Sequence, residues 1–439
     1  MASQHFSRRK FIASTSALVA ASQLPATKIK AADAPAKLAL DGGEKAVKKS
    51  PAKMPRFGDP ERERLNAMLG QDSLFYWKGP QTTELLQRFQ KHYPLKYAMT
   101  CSSGTAAIHI AIAAAGIAPG DEVITTPITD IGTVIGALYQ QAVPVFADLE
   151  PHTYNLDPAD VERRLTSKTK AIIAVHLAGN PCDMMRLKAL AQKHKLILIE
   201  DCAQAWGATF QGKPIGTIGH IGCFSLQASK QLTCGDGGIV ASNDERFGPL
   251  LQKFGDKGFN RLNAKFEVLA PNLRMSEPQA AVAAGQLTRL EAITGTRAKL
   301  GNLLTKEITG INGLSPHSVS EQDRCTFYFY TMRFQSEKFN CDRAKFVAAL
   351  KAEGVQASAG YIATTVYRMD YFQKHAFFAG RWPIKEMGLT TMDYTKVNCP
   401  EAEKILTDCV RVNIHESMNE DYIREVAAGI RKVAKHFAV

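Results

Sequence analysis

The chain has no Cys-x-x-Cys pair and no dense Lys/Arg stripe with interleaved aromatics. It also has no apolar run of about 18 residues or more. The first absence argues against a zinc ribbon or a thioredoxin-like redox motif. The second withdraws most of the support for nucleic-acid binding that a basic chain first suggests. The third leaves no segment able to cross a bilayer as a helix. Nine cysteines are present, an odd number, so at least one thiol is unpaired. Most sit in apolar stretches and read as small buried hydrophobes. The eleven histidines show no metal-ligand spacing.

What is there is a globular composition: 439 residues, 45% hydrophobic and 22% charged, with a formal charge of +12. Part of that charge is local. Ser7-Arg8-Arg9-Lys10-Phe11-Ile12 opens a mildly apolar run to Ala21, and Ala32-Asp33-Ala34 follows. A basic start, a short apolar stretch and a small-residue site describe an export signal. The paired arginines resemble the twin-arginine type. Residues 1–34 hold five basic residues against Asp33, a net +4 of the +12, which leaves a diffuse +8. The expectation is a protein exported already folded, soluble after signal removal and periplasmic, with thiols kept reduced while it folds.

Residues 35–60 read as an extended arm. From Tyr97 to Asp244 apolar strands alternate with helical runs, among them Ala171 to His176 and Leu196 to Glu200. Continuous apolar strands are those buried on both faces of a mostly parallel sheet. Glu277 to Leu304 reads as one long helix, and from Asn312 the texture changes to short strands and helices. The fold class is therefore α/β: a large domain over 61–305 with a mostly parallel mixed sheet, and a smaller α+β domain over 306–439.

Three segments carry chemistry. Ser103-Gly104-Thr105-Ala106-Ala107 opens a helix, where free backbone N–H groups and the positive end of the helix dipole bind anions, typically phosphate. Ile197-Leu198-Ile199 ends abruptly in Glu200-Asp201, with Gln204 close behind. Ligands of open α/β sheets bind at that strand edge. Phe224-Ser225 then leads to Lys230 among small and apolar residues, followed by glycines. A desolvated lysine is a candidate amine nucleophile. A phosphate cradle, an acid for a pyridine nitrogen and a lysine for a Schiff base are the parts that pyridoxal phosphate requires. Gly216 to Gly222 has the glycine spacing of a dinucleotide loop but no helix after it, which speaks against a nicotinamide enzyme.

From about Leu38 onward the chain resembles the DegT/DnrJ/EryC1/StrS family of sugar aminotransferases, of pyridoxal-phosphate fold type I. The resemblance is carried by Ser103 to Ala107, Gly120-Asp121-Glu122, Phe146-Ala147-Asp148 with Thr153-Tyr154-Asn155, Glu200 to Gln204, Phe224 to Lys230, and Asn272 to Gln279. It implies that Lys230 forms the Schiff base and shuttles the proton, while Asp201 pairs with the pyridinium nitrogen. It further implies Gln204 near the cofactor's 3-hydroxyl or ring, and Gly104, Thr105 and Ser225 on the phosphate. Asn272 would reach the phosphate across a subunit boundary, hence a homodimer.

One position departs from the pattern. Asp130, in Thr126-Pro127-Ile128-Thr129-Asp130-Ile131-Gly132, falls where the family places an aromatic that stacks on the cofactor. A carboxylate cannot stack; it could meet the pyridinium charge or hold a substrate amine. The segments Val366 to Phe372, Cys399 to Glu403 and Asp408 to His415 look like the branch acting on cyclitols and 3-amino-5-hydroxybenzoate precursors. The expected function is amino transfer from glutamate or glutamine to a keto sugar or keto-cyclitol. The alternative is an exported cofactor-binding relative with altered or lost transaminase activity.

Overall fold

The computed structural model describes residues 37–52 and 54–439. The export segment expected over residues 1–34 lies outside them. Seven strands form the main sheet: β1 Tyr97–Cys101, β2 Glu122–Thr125, β3 Val143–Phe146, β4 Thr169–Val175, β5 Ile197–Asp201, β6 Ile221–Ser225 and β7 Gly238–Ser242. Their order is β1-β7-β6-β5-β4-β2-β3. Strands β2 to β6 pair in parallel, and β7 runs antiparallel to both β6 and β1. Two antiparallel steps leave β1 pointing the same way as β6. The carboxyl ends of β1, β2, β5 and β6 therefore open on one edge.

The apolar runs explain the layering. Ala171 to Val175 are buried on both faces of β4, so helices must cover both sides. One of them, α1 (Gly104–Ala114), is Ala- and Ile-rich on all sides and almost wholly buried. A helix apolar all round is a core helix. The helix α2 (Gly132–Tyr139) follows β2 and packs beside α1; a Cβ on Gly136 would stand 2.7 Å from the His109 Cα.

The long helix expected from Glu277 is two helices, α3 (Glu277–Leu287) and α4 (Leu290–Ile308). The break follows from local bonding. The Thr288 hydroxyl donates to the Gly285 carbonyl at 2.7 Å, and the Arg289 guanidinium is drawn aside to the Arg56 carbonyl and the Glu61 carboxylate. Beyond α4 a four-stranded antiparallel sheet runs β8-β9-β11-β10, formed by Leu314–Pro316, Tyr330–Phe334, Cys409–Val412 and Ala357–Ala359 respectively. Leu300, Leu304 and Ile308 of α4 share its core with Ile423, Ile430 and Val433 of the last helix, α5 (Glu420–Phe437). No described helix is long and apolar enough to cross a membrane.

Candidate active site

A cavity of about 320 Å³ lies at the carboxyl edge of the main sheet. Its wall includes Gly104, Thr105, Asp130, Asp201, Ser225 and Lys230, which the sequence singles out from four separate segments. Chain order alone does not bring them together; the shared direction of β1, β2, β5 and β6 does.

The anion side of the cavity is built by omission of side chains. Ser103 caps α1, its hydroxyl accepting from the Ala106 N–H at 3.0 Å. Its neighbour Gly104 is buried against Ser225; a Cβ there would stand 2.7 Å from the Ser225 Cβ. A Cβ on Gly132 would collide with the Thr105 hydroxyl, and one on Gly238 with the Ser103 carbonyl. The starts of two helices thus open on the cavity that Thr105 and Ser225 line, an arrangement that fits a phosphate.

Asp201 ends β5 and is 4% exposed. One carboxylate oxygen accepts from the Thr133 hydroxyl at 2.9 Å, the other from the Ala203 N–H at 3.1 Å. Burial raises its pKa, opposed by those two donors and by the Lys230 charge. A carboxylate kept costly by burial gains most from a cation placed beside it, such as a protonated ring nitrogen. Lys230 sits in the β6–β7 loop and is 9% exposed although Ala228 and Ser229 beside it are open to solvent. Its Nζ stands 4.9 Å from the centre of the Tyr328 ring. The Tyr328 hydroxyl is hydrogen-bonded to Ser229 Oγ at 2.6 Å. Arg56 donates to the carbonyls of Ala228 and Lys230 and so fixes the loop from below.

The strand end preceding Asp201 is equally restrained. Glu200 is fully buried and accepts from the N–H groups of Gly216 (2.6 Å), Ile218 (2.8 Å) and Gly219 (2.5 Å). His176 Nδ1 accepts from the Cys182 N–H at 3.1 Å, which leaves Nε2 to donate to Glu200 at 3.2 Å. His176, Glu200 and Cys202 are close enough to suggest a metal site, but these atoms are engaged in anchoring the loop. His176 is a satisfied core residue. The glycine-spaced segment Gly216 to Gly222 is the tethered loop itself.

Two residues expected to serve the cofactor, Gln204 and Asn272, are not in the wall of this chain's cavity, and Asn272 was expected to act across a subunit boundary. Gln204 does not line the cavity: its amide oxygen accepts from the Ala178 N–H at 2.9 Å, and its nitrogen donates to the Tyr361 hydroxyl at 3.1 Å. Asn272 is exposed and lies outside its own chain's cavity. Thr133, Tyr328 and Tyr361 are among the wall residues that the sequence did not single out. Thr133 had a faint signal, its four-residue spacing from Thr129, to which it bonds at 2.7 Å. Tyr328 and Tyr361 come from the smaller domain with no local mark. Burial first, then the Asp130 carboxylate, pushes the Tyr361 phenol well above its ordinary range.

All nine cysteines are unpaired, and seven of them are buried. Burial raises the Cys101 thiol to about 12, so it stays a neutral core group rather than a nucleophile.

Residues 56–431 match the model of the DegT/DnrJ/EryC1/StrS aminotransferase family. A Micromonospora echinospora protein assigned as an L-glutamine:3-amino-2,3-dideoxy-scyllo-inosose aminotransferase is 33% identical, covering 87% of this chain and 92% of that one. GDP-perosamine synthase of Escherichia coli O157:H7 is 30% identical, over 86% and 99%. The crystal structure of 3-amino-5-hydroxybenzoic acid synthase superposes with a TM-score of 0.77 at 27% identity, over 88% of this chain and all of that one. The chain belongs to the DegT/DnrJ/EryC1/StrS aminotransferase family and is a pyridoxal-phosphate-dependent aminotransferase.

Proposed function

We propose that this enzyme moves an amino group from glutamate or glutamine to a keto sugar or keto-cyclitol, with Lys230 as the covalent anchor and proton carrier. The observation that carries the proposal is a buried lysine, the only one among the described residues, lining one cavity with a buried acid, beside an anion cradle that a Cβ on Gly104 would fill. Pyridoxal phosphate, when bound, supplies a carbonyl that carries the amine and a ring that takes up electrons from the reacting carbon. The chain supplies the rest. Thr105, Ser225 and the N–H groups opening α1 hold the phosphate. Asp201 keeps the ring nitrogen protonated, and Thr133 holds Asp201 in place. Lys230 Nζ removes and returns the proton in both halves of the cycle. The relatives named above, acting on a cyclitol ketone and on a sugar nucleotide, support this acceptor class.

Lys230→Ala protein should lose the visible Schiff-base absorption and all turnover while keeping its fold by circular dichroism. An unchanged spectrum in the variant refutes the role of Lys230. We also infer a homodimer in which Asn272 serves the partner's cradle, and export through the signal at Arg8-Arg9. For the signal, Arg8→Lys with Arg9→Lys should retain the protein in the cytoplasm on fractionation. Unaltered distribution would exclude the twin-arginine route.

A further inference from the structure

We propose that Asp130 is a specificity-determining residue that binds an ammonium group of the acceptor. The substrate class is then a keto-cyclitol or keto sugar that already bears one amine. The inference rests on the transaminase reading above and narrows it.

Asp130 is a charged wall group of the cavity that the cofactor roles do not use. Asp201 is taken by the ring nitrogen, Lys230 by the cofactor carbonyl, and Thr105 and Ser225 by the phosphate. One Asp130 oxygen accepts from the Gly132 N–H at 2.8 Å, which points the carboxylate from the start of α2. Among the described residues it has no other hydrogen-bond donor and no ion-pair partner, and it is solvent-exposed in the cavity wall. The side chains around the cavity carry three carboxylates, Asp130, Asp201 and Asp236, against one lysine. Subtracting the groups engaged with the cofactor leaves an acidic remainder facing the substrate.

Two aromatic rings complete the setting. Tyr328 and Tyr361 line the same cavity, and Tyr361 is held by stacking on Phe329 at 4.9 Å and by Gln204. Burial first, then the Asp130 charge, pushes the Tyr361 and Tyr371 phenols upward. A carboxylate and aromatic rings lining one cavity are a combination that receives ammonium groups. The cavity already holds one ammonium against an aromatic face, Lys230 over Tyr328. A neutral sugar hydroxyl would also hydrogen-bond to Asp130, but it would leave the carboxylate charge uncompensated.

Asp130 also accepts from the Gly132 N–H in the turn before α2, and the test must separate that turn from recognition. Asparagine makes the same turn but carries no charge. The holoenzyme is therefore assayed in the reverse direction. A 1,3-diaminocyclitol is compared with the monoaminocyclitol that carries a hydroxyl in place of the second amine. Conversion of the cofactor is followed by its absorbance. The wild type should half-saturate with the diamine at a concentration on the order of ten- to a hundredfold lower, the range of a hydrogen bond to a charged group. Asp130→Asn should reduce that ratio to near one, and Asp130→Glu should keep part of it. Because the ratio is taken within each protein, general damage from the substitution cancels. If Asp130→Asn converts neither amine, calorimetric binding of the two cyclitols gives the same ratio. Equal half-saturation in the wild type, or a preference undiminished in Asp130→Asn, overturns the inference. Separately, a wild type that takes up the cofactor but is converted by neither L-glutamate nor L-glutamine refutes the transaminase reading instead.

Discussion

At Asp201 two donors share one buried carboxylate, and their loss has different consequences. The Ala203 N–H belongs to the backbone, whereas Thr133 can be changed. Thr133→Val removes a hydrogen bond to a charged acceptor, worth about 1.5–3 kcal/mol. We expect kcat to fall roughly tenfold or more, with Thr133→Ser restoring most of it. Burial already raises the Asp201 pKa, so losing a donor raises it further. The acid limb of the pH–rate profile should then move to higher pH, a shift that a purely structural defect would not produce. Legibility at this scale follows chain locality. Asp201 announces itself because it ends an apolar stretch in a charged group, and Lys230 because it stands among small and apolar residues. Thr133 does not, because a threonine between apolar residues looks like any β-branched core position. Tyr361 is invisible, since its relation to Asp130 is made by folding alone.

Among the elements, the two sheets differ in how far sequence exposes them. Strands β4 and β5 are continuous apolar runs, β5 ending in Glu200-Asp201, and their parallel pairing follows from the helical connection between them. The division at Thr288-Arg289 was not legible, because helical periodicity continues through it and the cause is a side chain reaching back to Arg56 and Glu61. In the smaller sheet, His317 follows β8 and its Nδ1 lies 2.9 Å from the Thr331 hydroxyl of β9. Its burial lowers its pKa from 6.5 to about 4. The folded chain therefore holds this imidazole neutral while the unfolded chain begins to protonate near pH 6.5. The contribution is whole above pH 6.5 and is lost as pH falls towards 4. By pH 5 that amounts to roughly 2 kcal/mol. His317→Gln should lose less stability between pH 7 and pH 5 than the wild type, by about that amount, in urea unfolding. Equal losses would show that His317 takes no part in acid sensitivity.

For the molecule as a whole, the exposed apolar side chains suggest what the single chain leaves unfinished. Leu262 and Leu269 are 87% and 97% exposed, and Phe266 70%, close in sequence to Asn272. Clustered large apolar exposure of this kind marks an interaction face. Sedimentation should give twice the chain mass. Asn272→Ala should weaken cofactor affinity on the order of tenfold, as loss of a hydrogen bond to a charged phosphate would, although the residue is outside its own chain's cavity. A monomer with full affinity would refute the shared cradle. The charge of +12 gave little guidance at this scale, because a third of it lies in residues 1–34 and the rest is spread. The cradle has a last consequence. Gly104, Gly132 and Gly238 close it by backbone contact, with few side chains to order when an anion arrives. Capture of the cofactor is then a docking event with little entropy to surrender. A route that carries folded proteins would carry this one with its prosthetic group aboard, leaving the far compartment to provide substrates alone.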